Sequence, residues 1–485
     1  MALLLFMTLA AWSMGSAVGS SPDEDYVLTS IWCGTEGNPP YCRKDPDRPN
    51  AMILPIMAAE PSLCFRQLGQ DYSAKCQESI YNQEISTDTF NRGYYPDTYF
   101  KIGKIFVDSD VESSVVKMRL LNSFLAAVLI ILASAFIWKK SPDLLFAWLS
   151  VVAPVSTYFI ASVNTSSWTL IGTTSFVFAF TGACKNRKHQ NVWMPAGAVA
   201  LFALWFTNSS RYEGKYVILL LAAAILYSEF APRSFKLTKK FVLIGSVGLP
   251  MIYLIYNYLS SFYGQTNVFN DPRVEVSEGI TTTANNLFVN NIITLPRFIT
   301  GFFGSWGLGW FELELTQTVW LFTLQAFLLV TSFALIKSSN LHRVTFGALF
   351  AIMCLAILFT NQKTFSKVGN EIQPRYFLPF FLGIVIIAAA NKTERYPNSL
   401  VITVAILATI SNSIALRDTI RRYTTGQDVF ISKSLNNPIE WWWQFGPKPE
   451  TIWLTGTLAF AALWALLIYD RKIEKLRLRM QANAN

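Results

Sequence analysis

Two acidic residues, Asp23 and Glu24, stand at the end of the first apolar segment, in the run Ser20-Ser21-Pro22-Asp23-Glu24-Asp25. A carboxylate at a membrane–water boundary can take a proton from a hydroxyl while a lipid-tailed partner stays in the bilayer. The same residues suit a plainer role, because Ser-Pro-Asp-Glu also fits the start of a helix. The chain has two histidines, His189 and His342, both in connections expected on the cytoplasmic side. Acid–base chemistry on the outward side must then use carboxylates or tyrosines.

Cations form the second group. Arg211 and Lys215 begin an apolar run, Arg375 in Gln373-Pro374-Arg375-Tyr376 begins another, and Arg297 lies in an amphipathic stretch. Each alone suits a side chain that snorkels to the interface. Together they could hold a phosphate through charge-assisted, forked hydrogen bonds. The third group is polar and aromatic. Tyr94 and Tyr95 precede the second apolar run, Asn164 and Trp168 flank a tight turn, and Trp310 stands in Gly307-Leu308-Gly309-Trp310-Phe311-Glu312. These types suit turns and interfaces. Their shared sidedness, with that of Tyr376, makes them candidates for substrate binding.

The elements that must position these residues are membrane spans. The chain is 52% hydrophobic and only 15% charged, with a mean hydropathy of +0.33. Apolar runs of spanning length place helices near 2–19, 118–138, 144–163, 167–184, 192–208, 215–230, 241–260, 317–336, 344–361, 376–391, 399–416 and 451–469. The fold expected is an all-α polytopic membrane protein of about twelve spans. Residues 1–19 form the first span rather than a cleaved signal peptide. Spans two to seven fill 118–260, spans eight to eleven 317–416, and 451–485 holds the last span with a basic tail. Lys and Arg collect in alternate connections, which puts that side and both termini in the cytoplasm. The net charge of +9 reads as this retention signal plus attraction to anionic lipid, with no nucleic-acid partner.

The long connections, 20–117, 261–316 and 417–450, then face outward. Cys33, Cys42, Cys64 and Cys76 all fall in the first, which reads as a small extracytoplasmic subdomain stapled by two disulfides. Three pairings are possible, and Cys33–Cys42 with Cys64–Cys76 closes the shortest loops. A metal site is the alternative, but neither a CxxC pair nor a histidine accompanies them. The segment 286–303 repeats apolar residues at helical spacing and is expected to lie in the interface. Trp441-Trp442-Trp443 suits interfacial anchoring, or a platform for sugar rings.

Nucleotide-binding loops, dinucleotide fingerprints and zinc spacings are absent, and no metal or cofactor is expected. Charged residues are scarce within the spans, which disfavours ion-coupled transport. Pro-Asp-Glu after the first span, Tyr-Tyr-Pro before the second, Asn-Thr-Ser-Ser-Trp at 164–168, Arg211, Gly-Leu-Gly-Trp-Phe and Gln-Pro-Arg-Tyr-Phe-Leu-Pro at 373–379 resemble an uncharacterised family of predicted bacterial membrane proteins. That family is grouped with the GT-C glycosyltransferases. It often carries a histidine a few residues after its acidic pair, where this chain has Asp25-Tyr26-Val27-Leu28. The four-cysteine loop has no counterpart in the family pattern.

The resemblance implies a GT-C-like enzyme that takes a sugar from a polyprenyl-phosphate donor on the outer face of the membrane. Asp23 or Glu24 would be the general base, and Arg375 and Arg211 would hold the donor phosphate, with Lys215 and Arg297 as further cations. The acceptor would be an envelope glycan or glycolipid. Two other readings use the same residues. A flippase or exporter of lipid-linked sugars would need a polar path across the bilayer, and a non-catalytic partner in an envelope-synthesis complex would tolerate loss of both carboxylates.

Overall fold

The structure, a computed structural model, describes residues 1–34, 37–66, 71–141, 143–152, 154–230, 284–370, 372–427 and 434–484. The span expected at 241–260 lies outside the described residues. Helices dominate, and five are long and apolar enough to cross a membrane: Val111–Trp138, Gln317–Ile336, Asn340–Lys363, Asn398–Thr424 and Pro449–Ile473. Ala2–Met14, Asp143–Val152 and Leu378–Ala390 are apolar but shorter. Large apolar side chains such as Phe124, Leu328, Leu355 and Leu458 are exposed on these helices, as are Leu201 and Trp205 on helix Gln190–Asn208. A surface this apolar suits lipid, which leaves helices to satisfy their own backbone.

The first helix ends at Met14, so residues 15–19, expected inside the span, belong instead to the turn that leads to the acidic pair. Proline explains another difference. The run 144–163 is two helices, Asp143–Val152 and Val155–Ile160, broken before Pro154, whose ring cannot continue the preceding helix. Helices Thr165–Lys185 and Gln190–Asn208 approach so closely that a Cβ on Gly172 would lie 2.1 Å from Thr207 Oγ1. Buried polar pairs tie helix to helix elsewhere: Trp12 Nε1 donates to Asn412 at 3.0 Å, and Ser13 meets Ser123 at 2.8 Å.

Two ends of the bundle differ in chemistry. At one, Asp143 is buried against Lys392 (2.5 Å) and Arg471, beside the basic connections 139–141, 185–188 and 391–395. At the other lies the cysteine-rich subdomain. Its disulfides are Cys33–Cys42 and Cys64–Cys76, the pairing of shortest loops. The all-α expectation needs one amendment here: a three-stranded antiparallel sheet, β1 (Arg43–Lys44), β2 (Met52–Pro55) and β3 (Glu84–Thr87), in the order β1-β2-β3. The amphipathic stretch is helix Ala284–Gly301. It buries Leu287, Asn291 and Phe298 and exposes Phe288, Ile292 and Ile293. Asn291 fixes it by accepting from Val368 N at 2.9 Å and donating to Ser366 O at 3.0 Å.

Candidate functional site

Asp23 precedes helix Glu24–Cys33 in a left-handed conformation, φ 64°, and its side chain caps no backbone group. Its carboxylate accepts instead from Arg375 Nη2 at 2.6 Å. Arg375 sits in a short 3₁₀ turn, Pro374–Tyr376, that proline opens with its preset φ. The guanidinium is 3% exposed, whereas the Asp23 side chain is 44% exposed. Arg375 also donates to Pro22 O (3.2 Å) and to the Tyr376 hydroxyl (3.0 Å). Asn164, the cap of helix Thr165–Lys185, donates to the same Pro22 carbonyl at 2.7 Å. Two segments far apart in sequence thus converge on Pro22-Asp23.

Arg211 completes the cluster. It follows helix Gln190–Asn208, donates to Ser166 Oγ at 3.0 Å and to the Tyr95 hydroxyl at 3.4 Å, and pairs with the exposed Glu213 at 3.0 Å. Its guanidinium lies 5.1 Å from the Tyr376 ring centre, and that of Arg375 lies 4.9 Å from the same ring. Two nearly buried cations therefore share one aromatic ring, and one of them, Arg375, holds the partly open Asp23 carboxylate. Burial raises the Tyr95 hydroxyl above its usual range, against the opposing pull of Arg211, so Tyr95 stays protonated here.

Glu24 has a different place. It is fully buried and takes both forks of Arg119, at 2.9 and 3.0 Å from Nη2 with Nε at 3.2 Å. It also accepts from Ser21 N (3.2 Å) and Val163 N (3.3 Å). The bond to Ser21 N, three residues back, closes the turn that leads into helix Glu24–Cys33, so Glu24 serves the start of that helix. Arg119 in turn holds the carbonyls of Ser16 (2.6 Å) and Ala17 (2.8 Å) beyond the end of the first helix. Arg119 escapes a search for outward cations because it lies inside helix Val111–Trp138. Its signal is that it is the one charged residue of the run 118–138.

The remaining candidates fall around or outside this cluster. Tyr94 is exposed. Lys215 stands over the ring of Tyr216 at 5.1 Å, and Arg297 is exposed on helix Ala284–Gly301. That helix nevertheless packs beside the arginine turn, with Phe298 against Phe377 (5.9 Å) and Gly301 against Pro374. Trp168 is not at the cluster but in the core, stacked on Phe206 at 4.2 Å and donating to Asn122 at 2.9 Å. Of the tryptophan triplet, Trp441 and Trp443 are buried, and Trp443 donates to Met14 O at 2.8 Å, so both serve packing.

A second acidic group borders the first. Trp310 donates to Gly19 O at 2.9 Å and carries the Arg66 guanidinium 4.7 Å from its ring, while Arg66 pairs with Asp25 at 3.5 Å. Burial pushes the Asp25 carboxyl up to about 6. Burial also raises Glu312, which accepts from Tyr423 at 2.9 Å. Among the described residues no group of three or more His, Cys, Asp or Glu side chains is placed to hold a metal ion.

No curated protein and no solved structure matches the chain. Residues 6–384, a stretch that includes Asp23, Arg211 and Arg375, match the family described as Predicted membrane protein (DUF2142), and the chain belongs to that family of predicted membrane proteins.

Proposed function

We propose that this protein is a GT-C-type glycosyltransferase that moves a sugar from a polyprenyl-phosphate donor to an envelope glycan or glycolipid. The observation that carries the reading is the partly open Asp23 carboxylate 2.6 Å from the buried Arg375, with Arg211 across the shared Tyr376 ring. Asp23 is the general base and Glu24, sealed by Arg119, is structural. The acceptor hydroxyl gives its proton to Asp23 as its oxygen bonds to the anomeric carbon. The bond from that carbon to the phosphate oxygen breaks with its electron pair, and the configuration inverts. The leaving polyprenyl phosphate gains negative charge, which Arg375 and Arg211 stabilise through charge-assisted hydrogen bonds. Tyr95 and Tyr376 border the sugar.

Sidedness belongs to the same proposal. Disulfides form in oxidising compartments, and basic connections gather at the opposite end of the bundle, as on cytoplasmic faces. The cluster then faces outward, with both termini inside. The test uses purified protein, radiolabelled polyprenyl-phospho-sugars and a membrane glycan extract. Wild type should transfer label and Asp23→Asn should not, at unchanged thermal stability. Donor binding without transfer in wild type, unaffected by Asp23→Asn, would sink the enzyme reading and favour a flippase or an assembly partner.

A further inference from the structure

The base and the phosphate grip are bonded to each other, and a working site cannot leave them so. We propose that the Asp23–Arg375 pair is a latch: the donor's phosphate displaces Asp23 from Arg375 and thereby frees the base, so that the donor must bind before the acceptor is deprotonated. This rests on the glycosyltransferase reading above.

Three features of the geometry support the exchange. The bond to Arg375 Nη2 is the one side-chain hydrogen bond of the Asp23 carboxylate among the described residues, and the side chain makes no cap. Nothing else needs to break for it to turn away. The arginine, by contrast, is fixed: Pro22 O and the Tyr376 hydroxyl hold its two terminal nitrogens, and its rings are Phe159 (5.6 Å) and Tyr376. Its buried Nε finds no hydrogen-bond partner among the described residues. The cation therefore stays in place with unspent donor capacity while its anion can leave.

The backbone keeps the released carboxylate close. Asn164 and Arg375 both hold the Pro22 carbonyl, so residue 23 cannot move far when its side chain rotates. Charge balances across the exchange. In the resting state Asp23 neutralises Arg375. In the loaded state the phosphodiester monoanion does so, with Arg211 beside it, and Asp23 faces the acceptor with both oxygens free of the guanidinium. After transfer the proton is on Asp23 and the extra negative charge on the lipid phosphate, between two arginines.

A latch makes a counter-intuitive prediction, since the base competes with the ligand. Full-length protein in detergent is titrated with a polyprenyl monophosphate, and the dissociation constant is read from tryptophan fluorescence. Asp23→Asn should bind about five-fold more tightly than wild type, or about 1 kcal/mol, and Arg375→Ala should bind far more weakly. Equal or weaker binding by Asp23→Asn, with wild type binding well, would overturn the latch and leave the enzyme reading intact. Failure of wild type to bind the phosphate at all would remove both. A second measurement needs no variant: carbodiimide labelling of Asp23 should rise when polyprenyl monophosphate is added and stay level with polyprenol. Unchanged labelling, or an equal rise with polyprenol, would overturn the latch.

Discussion

Asp23 and Glu24 are adjacent, each faces an arginine, and the two pairs could hardly be less alike. Glu24 and Arg119 are both sealed from solvent, and the carboxylate satisfies its oxygens with a guanidinium and two backbone N–H groups. Asp23 meets an equally buried arginine but keeps nearly half of its own side chain in solvent. Helix geometry accounts for the split. Asp23 stands before the helix in a left-handed conformation and Glu24 is the first helical residue, so the backbone turns one into the bundle and the other to its mouth. The lesson is that an ion pair closed on both sides holds a fold together, while a pair open on one side can exchange its partner.

Breaking the closed pair should have the largest effect. Glu24→Gln leaves Arg119 buried without its counter-charge, which costs about 3–5 kcal/mol. Thermal unfolding in detergent should show a large drop or no folded protein. A melting temperature close to wild type would mean that Glu24 is not the structural member of the pair. The Cys64–Cys76 staple should come next. It closes a separation of 12 residues, and a loop of that size contributes about 3 kcal/mol by constraining the unfolded chain. The loop also carries Arg66 to Asp25 and offers Tyr72 O to Arg422. Cys64→Ser with Cys76→Ser should therefore loosen the wall beside Asp23 as well as lower the melting temperature. If stability fell and proteolysis of the 61–76 segment stayed slow, the staple would act on the unfolded chain alone.

How much of this was legible beforehand follows from the range of each interaction. Apolar runs are local, and the helices Gln317–Ile336 and Asn398–Thr424 begin where hydropathy placed them, though the second continues to residue 424. The twelve-span count is finer than the five helices that meet the length and apolarity of a crossing. Cysteine pairing was legible because short loops close cheaply. Which acidic residue is buried was not, since Glu24 is decided by Arg119, 95 residues away, and Asp23 by Arg375, 352 residues away. Aromatic residues misled for a related reason. Trp168 stands at the end of an apolar segment and Trp443 in the connection before the last one, where an interfacial ring and a core ring have the same sequence signature, and only packing separates them.

Asp25 sharpens the comparison from the side of pH. It lies between the two extremes, partly buried and only loosely paired with Arg66 at 3.5 Å. Its carboxyl titrates near 6 when folded, against an ordinary 3.8. The folded protein therefore binds this proton more tightly than the unfolded chain does. The stabilisation is fully present below about pH 4, and it is lost as pH rises to about 6, for a total of at most about 3 kcal/mol. Melting temperatures followed from pH 4 to 7 should fall, and Asp25→Asn should flatten that fall. An unchanged slope in the variant would assign the titration to another group, with Glu312 the next to replace.

The smallest effect on stability should come from Asp23 itself, and that contrast is the strictest test of the comparison. Asp23→Asn removes the counter-charge of a buried arginine, as Glu24→Gln does. Three things limit the cost here. Water already reaches the pair, which screens it to about 1 kcal/mol or less. The Asn carbonyl can still accept from Arg375 Nη2, and Pro22 O and the Tyr376 hydroxyl continue to hold the guanidinium. Residue 23 also sits at φ 64°, a left-handed conformation that asparagine adopts more readily than most side chains. The melting temperature should thus move little, while Glu24→Gln, one residue along, collapses it. Equal losses from the two substitutions would make Asp23 a second structural carboxylate, with no free partner to exchange and no base to release.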